Sequence, residues 1–218
     1  MNDNEYVISV LSGLVTEKRL DRLDEILARR TRYFTVGLED IYQPQNASAV
    51  LRSCECFGVQ DVHIIENYNS YRINPMVVKG SDKWLTIHRY NQPENNTEES
   101  IKRLKSEGYR IVATLLDTKA TDLADFDVLR GKFAVIFGNE HKGVSEYFLE
   151  HADEYLKIPM CGFTQSLNIS VSAGIIISQL TQKIRTGAVK WQLTPEEKEP
   201  LFAQWLKNSV KNSQMIIK

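Results

Sequence analysis

Phe133-Ala134-Val135-Ile136-Phe137 is a run without a polar side chain, and Gly138-Asn139-Glu140-His141-Lys142-Gly143 follows it directly. A short, apolar, β-rich run is the pattern of a strand covered on both faces, as in a parallel sheet. Glycines just beyond a strand's C-terminal end let a ligand approach the backbone, and open α/β sheets bind ligands at that edge. An ordinary Gly-rich turn would read the same way. The stretch therefore speaks for a fold class before it speaks for a function.

Outward from it, strand-like and helix-like segments alternate. Residues 33–39, 62–65, 110–116 and 155–159 read as strands, and Asn91–Asn96 is the one linker-like stretch. Leu20, Leu23, Ile26 and Leu27 recur at helical spacing, which predicts an amphipathic helix over about 17–32, with Arg19, Arg22, Arg29 and Arg30 as a basic stripe beside the apolar one. Further helices are expected from about Asn46 to Phe57, with Gly58 as C-cap, near 97–106, over 169–184, and from near Pro195. This alternation indicates an α/β protein with a mainly parallel sheet flanked by helices.

Composition sets the outer limits. At 218 residues, with 42% hydrophobic and 25% charged residues, the chain suits one medium domain with helical extensions. The first ten residues have neither the basic nor the apolar region of a secretory signal. No apolar run approaches the roughly 18 residues that cross a bilayer. Cys54, Cys56 and Cys161 form no metal-ligand spacing, and a reduced cytoplasmic protein is the expectation. Net charge is −1, but it is unevenly spread: +2 over 17–32, −5 over 33–182 and +4 over 183–218. Basic ends around a mildly acidic middle suit an RNA binder, although solvated helix faces give the same pattern.

Several enzyme classes lose support. There is no G-x-G-x-x-G after a strand, no phosphate-binding loop of the G-x-x-x-x-G-K type and no G-x-S-x-G elbow. The four histidines, at 63, 88, 141 and 151, stand without partners at metal-ligand spacing and are expected at the surface or in local hydrogen bonds.

Three segments remain as carriers of chemistry. Asn46-Ala-Ser-Ala-Val-Leu-Arg52 opens a helix, with Asn46 at the N-cap position and Arg52 nearly two turns on. Gly138–Gly143 follows the buried strand. Ile158-Pro159-Met160, then Gln165-Ser166-Leu167-Asn168, precede an apolar helix whose first turn offers free backbone N–H groups. Capping and surface ion pairing would explain each one taken alone.

In order, spacing and setting the three together resemble the motifs of the SpoU branch of the SPOUT RNA methyltransferases, over nearly the whole chain. Arg19, Arg22 and Arg30, with Gly80-Ser81-Asp82-Lys83-Trp84, resemble in particular the bacterial group that 2′-O-methylates guanosine 18 of transfer RNA. That resemblance implies a C-terminal trefoil knot in the sheet, S-adenosylmethionine as methyl donor, a homodimer and tRNA as partner. No metal is implied, since a sulfonium is already an activated donor. Thr114, Gly138, Ile158, Met160 and Leu167 are the implied cofactor contacts. Arg52 is the implied residue at the ribose hydroxyl, with Asn46, Glu140, Ser166 and Asn168 around it and Arg19, Arg22 and Arg30 on RNA. The expected organisation is an RNA-binding helical extension over 1–32, a catalytic domain over 33–182 and a basic helical extension over 183–218. The same chemistry on ribosomal RNA, or a catalytically silent RNA-binding protein on this fold, are the alternatives.

Overall fold

The computed structural model describes residues 2–217. They divide into two compact units, Arg32–Trp191 and the two ends of the chain, 2–31 with 192–217.

The larger unit is built on seven strands: β1 (Phe34–Glu39), β2 (Asp61–Ile65), β3 (Thr86–Tyr90), β4 (Arg110–Thr114), β5 (Thr121–Asp122), β6 (Phe133–Phe137) and β7 (Glu154–Lys157). Their order across the sheet is β3-β2-β1-β6-β4-β7-β5, and every strand pairing is parallel. The apolar run 133–137 is β6 residue for residue, and it sits between β1 and β4 in the middle of the sheet.

Its alternation feeds two cores. Phe133, Val135 and Phe137 join Val36 and Leu38 against α3 (Pro44–Phe57) and α7 (Ile169–Thr186), which contribute Val50, Leu51, Ile176, Ile177 and Leu180. Ala134 and Ile136 face the other way, onto α5 (Asn96–Ser106) and α6 (Glu146–His151), meeting Ile101, Leu104 and Phe148. A strand covered on both faces has no side on which a polar residue costs nothing, hence its composition. The single-turn α4 (Pro75–Val78) and a 3₁₀ turn, Ser81–Trp84, connect β2 to β3.

The smaller unit holds α1 (Asp3–Ser12), α2 (Glu17–Leu27), α8 (Pro195–Ser209) and the short α9 (Ser213–Ile216). α1 and α2 pack on α8 around the fully buried Trp205, with Leu11, Leu23, Leu27 and Leu206. An isolated antiparallel bridge joins Thr31 to Gln192. The two ends of the sequence thus form one helical unit, entered and left at neighbouring points, rather than two separate extensions. The expected boundary at 182 falls inside α7, which runs on to Thr186.

Other differences are local. α1 was not legible as a helix from apolar periodicity, yet Asn2 and Glu5 form a reciprocal capping box at its start. α2 stops at Leu27, short of 32. α3 begins at Pro44, the fixed φ of proline suiting a first helical position, so Gln43 is the N-cap and Asn46 lies inside the first turn. Gly58 ends α3 in the left-handed conformation at φ 85°, as expected. β3 and α6 were not anticipated.

Candidate active site

Beyond the carboxyl ends of β6, β4 and β7 the loops leave a cleft of about 620 Å³. That lies within the roughly 300–1,000 Å³ common for small-molecule sites. Three chain segments wall it: Thr114–Leu116 after β4, Phe137–Val144 after β6, and the chain from Leu156 into the first turns of α7. All five residues expected to hold a cofactor, Thr114, Gly138, Ile158, Met160 and Leu167, line it. Glu140, Ser166 and Asn168 line it as well. Residues 114 and 167 come together because β4, β6 and β7 are neighbours in the sheet and end on the same edge.

The β6 loop is held from within and from outside. Asn139 and Gly143 exchange backbone hydrogen bonds of 2.9 and 2.8 Å, folding the loop into a tight hairpin. The Asn139 side chain accepts from the N–H groups of His141 and Lys142, and it donates to the carbonyl of Asp40 at 2.8 Å. A Cβ on Gly138 would lie 2.1 Å from the backbone of Gly143 and Val144, so only glycine fits where the hairpin folds back.

Glu140 ties this loop to the start of α3. One carboxylate oxygen accepts from Asn46 Nδ2 at 2.9 Å and Gln43 N at 3.1 Å, the other from Tyr42 N at 2.8 Å. Burial works against the charged carboxylate, but these donors outweigh it and hold its pKa below the usual carboxylate range. The helix N-terminus favours the same negative charge. Asn46 continues the chain of contacts, its Oδ1 accepting from Asn168 Nδ2 at 3.3 Å. Asn168 is in turn the N-cap of α7, its Oδ1 accepting from Ser170 N at 2.8 Å. Glu140, Asn46 and Asn168 therefore lock three loops that lie far apart in sequence. The side chain of Asn46 bridges elements instead of capping its own helix.

The other expected residues fall differently. Thr114 donates its hydroxyl to the Ile136 carbonyl at 2.9 Å, so its side chain is committed to the sheet. Ser166 is exposed at the rim. Arg52 is exposed on α3, makes no hydrogen bond or ion pair with another described residue and does not line the cleft. Of the basic stripe, Arg22 is exposed and ion-paired with Glu25 at 2.7 Å, and Arg19 is half-buried and reaches Ser209 at 3.5 Å. Arg30 corrects the reading. It is 1% exposed, with its guanidinium 5.2 Å from the Trp205 ring, so it cannot meet RNA phosphates as the helical stripe required. Because α2 ends at Leu27, Arg30 turns inward and packs as a cation over an aromatic face.

Asp40 was missed in the sequence. It follows β1 at φ 51°, a left-handed conformation that Asp tolerates better than most residues. Its Oδ1 accepts from the N–H groups of Asn67, Tyr68 and Asn69 at 2.8, 2.8 and 3.1 Å, while its own carbonyl accepts from Asn139. It thereby organises the loop after β2 and braces the loop after β6. The only local signal was an acidic residue where a strand meets a turn. Its partners lie 27–29 and 99 positions away.

Among the described residues no helix is long and apolar enough to cross a membrane. Residues 33–178 match the SpoU rRNA Methylase family. The chain is 42% identical over 209 residues to a tRNA (guanosine(18)-2′-O)-methyltransferase of Borreliella burgdorferi, covering 96% of this chain and 94% of that one. A Thermus thermophilus protein of the same name is 36% identical over 194 residues, 88% of this chain and 97% of its own. Among solved structures, the A. aeolicus TrmH/SpoU tRNA modifying enzyme superposes with a TM-score of 0.77 at 31% identity, over 90% of this chain and 98% of that one.

Proposed function

The chain belongs to the SpoU methylase family, and from that premise we propose that it transfers a methyl group from S-adenosylmethionine to the ribose 2′-hydroxyl of guanosine 18 in the D-loop of tRNA. The observation that carries this reading is the cleft itself, where all five expected cofactor residues meet the Glu140–Asn46–Asn168 lock. Relatives named for that reaction, matched over nearly their full length, supply the substrate.

The cleft fits the donor. Ile158, Met160, Leu167 and Ile176 offer apolar wall, and the 138–143 loop brings backbone and polar side chains to the same space. S-adenosylmethionine, when bound, supplies a methyl group already activated on a sulfonium. The chain's own residues do the rest. The hydrogen-bond lock fixes the three loops before substrate arrives, and positioning of this kind supplies much of a rate enhancement. Arg52 meets the ribose hydroxyl and donates hydrogen bonds to its oxygen as the proton leaves. Arg52 orients the hydroxyl and stabilises the charge that develops on its oxygen, and a substrate phosphate takes the proton.

Because Arg52 lies outside the cleft of its own chain, we read the working unit as a homodimer in which a second copy completes the site. The exposed face of α7, with Val171 48% exposed and Ile175 half-buried, beside that of α3, supports this. Light scattering at micromolar concentration should give twice 25.0 kDa. We also read the segment between β7 and α7 as part of a trefoil knot, one of the rare exceptions to unknotted topology. The setting is the cytoplasm, in keeping with three free cysteines. Labelled donor and bulk tRNA, followed by nucleoside analysis, test the activity. Label is expected in 2′-O-methylguanosine at position 18, and label in a base or in ribosomal RNA alone would overturn the reading.

A further inference from the structure

At the mouth of the cleft four exposed side chains stand in a row. Tyr42 is 59% exposed and meets the His141 ring edge-on at 5.9 Å. Lys142 follows His141 and places its ammonium 5.6 Å from the ring of Tyr68, which is 87% exposed. His141 and Lys142 also line the cleft. The row thus runs from the start of α3 across the β6 loop to the loop after β2.

Its backbone is fixed while its side chains reach out to solvent. Tyr42 N donates to Glu140 at 2.8 Å, Tyr68 N donates to Asp40 at 2.8 Å, and His141 N and Lys142 N donate to Asn139 Oδ1. Two large aromatic faces are therefore held out to solvent on anchored main chain. Burial in the fold does not account for them. A single exposed ring is ordinary, and it is the grouping of two rings with an imidazole and an ammonium at the mouth of one cleft that points to a ligand.

We propose that the row Tyr42–His141–Lys142–Tyr68 is a stacking platform for unpaired bases of the RNA loop that carries the target ribose. The proposal rests on the methyltransferase reading above and adds to it the residues that engage the bases. A ribose hydroxyl that must enter a cleft cannot stay within a stacked helix, and sequence-selective RNA recognition uses unstacked bases laid on aromatic side chains. The ammonium and imidazole between the tyrosines suit the phosphates that join successive bases. Every base offers a π-face, so the platform fixes where the strand lies, and stacking of this kind tolerates sequence.

Single-turnover methylation of tRNA by full-length Tyr42→Ala and Tyr68→Ala variants provides one arm of the test. Each should weaken RNA binding by roughly 5- to 100-fold, with donor affinity by calorimetry and oligomeric state unchanged. Tyr42→Phe and Tyr68→Phe should restore binding, because the ring and not the hydroxyl does the stacking. The second arm is a Tyr68→Trp variant titrated with tRNA and with an unstructured oligonucleotide. Its fluorescence should be quenched by both and by S-adenosylmethionine alone not at all. That arm reports on the row even if the wild-type protein methylates some other RNA, so its failure is distinct from failure of the activity reading. Alanine variants that bind RNA as tightly as wild type would overturn the proposal. So would a change of subunit number on losing either ring, which would make the row a subunit contact.

Discussion

Replacing Gly138 with alanine should cost both stability and donor binding, and the structure sets the scale. The new methyl would start 2.1 Å from the Gly143 and Val144 backbone and must retreat to about 3.4 Å for ordinary contact, a shift of about 1.3 Å. The atoms it meets are main chain, so no side chain can rotate away, and the Asn139–Gly143 hairpin has to open. Overpacking of this kind costs about 1–3 kcal/mol. A shift of that size also pulls Glu140 off Tyr42 N, Gln43 N and Asn46, and losing that anchor on a half-exposed carboxylate adds about 1 kcal/mol. For a chain of this length the sum corresponds to a fall in Tm of roughly 5–15 °C. Calorimetric melting measures it, and isothermal titration with S-adenosylmethionine should show affinity falling together with Tm. Gly162→Ala is the control, since a Cβ there meets nothing nearer than 3.9 Å. If Gly138→Ala melted within about 2 °C of wild type and bound donor equally well, the close-approach argument would be refuted.

Arg52→Ala should lower the single-turnover methylation rate at least 100-fold while calorimetric donor affinity stays near wild type; loss of donor binding in a folded variant would mean the residue holds cofactor instead. Glu140→Gln should be less stable than wild type at neutral pH. Because the folded-state pKa of Glu140 is depressed, the carboxylate's contribution is fully present above the unfolded value of about 4.3 and fades as pH falls through the folded one, so the two melting curves should converge in acid. A gap that stayed constant from pH 7 to pH 3 would show that the charge contributes nothing. Arg19→Ala with Arg22→Ala should weaken tRNA binding and reduce its salt slope by about two units, whereas Arg30→Ala should lower Tm with little change in that slope. Equal salt-slope effects from all three arginines would contradict the buried placement of Arg30.

What the sequence determined by itself was periodicity, and hence layer. Phe133–Phe137 read as a strand buried on both faces because that pattern is a property of consecutive residues, whereas Gly138 read equally as a turn or a backbone approach until the fold brought Gly143 and Val144 against it. Gly58 likewise announced the end of α3, since the left-handed conformation that closes a helix is one glycine takes without strain. The resemblance to a methyltransferase family supplied the five cofactor positions, each from its place in a motif, and the sheet order brings them to one cleft. Tertiary structure alone decided the partners. Asn46 looked like a helix cap and is instead the bridge between Glu140 and Asn168, 94 and 122 residues away. Arg30 looked like a surface cation because its spacing continued a helix that in fact ends three residues earlier. Asp40 showed only an acidic residue at a strand end, since its hydrogen-bond donors come from two other loops, after β2 and after β6. The two basic ends read as separate tails and close into one helical unit around Trp205. Local sequence constrains dihedral angles and which face is apolar, but a hydrogen bond between distant loops depends on where the whole sheet places their ends.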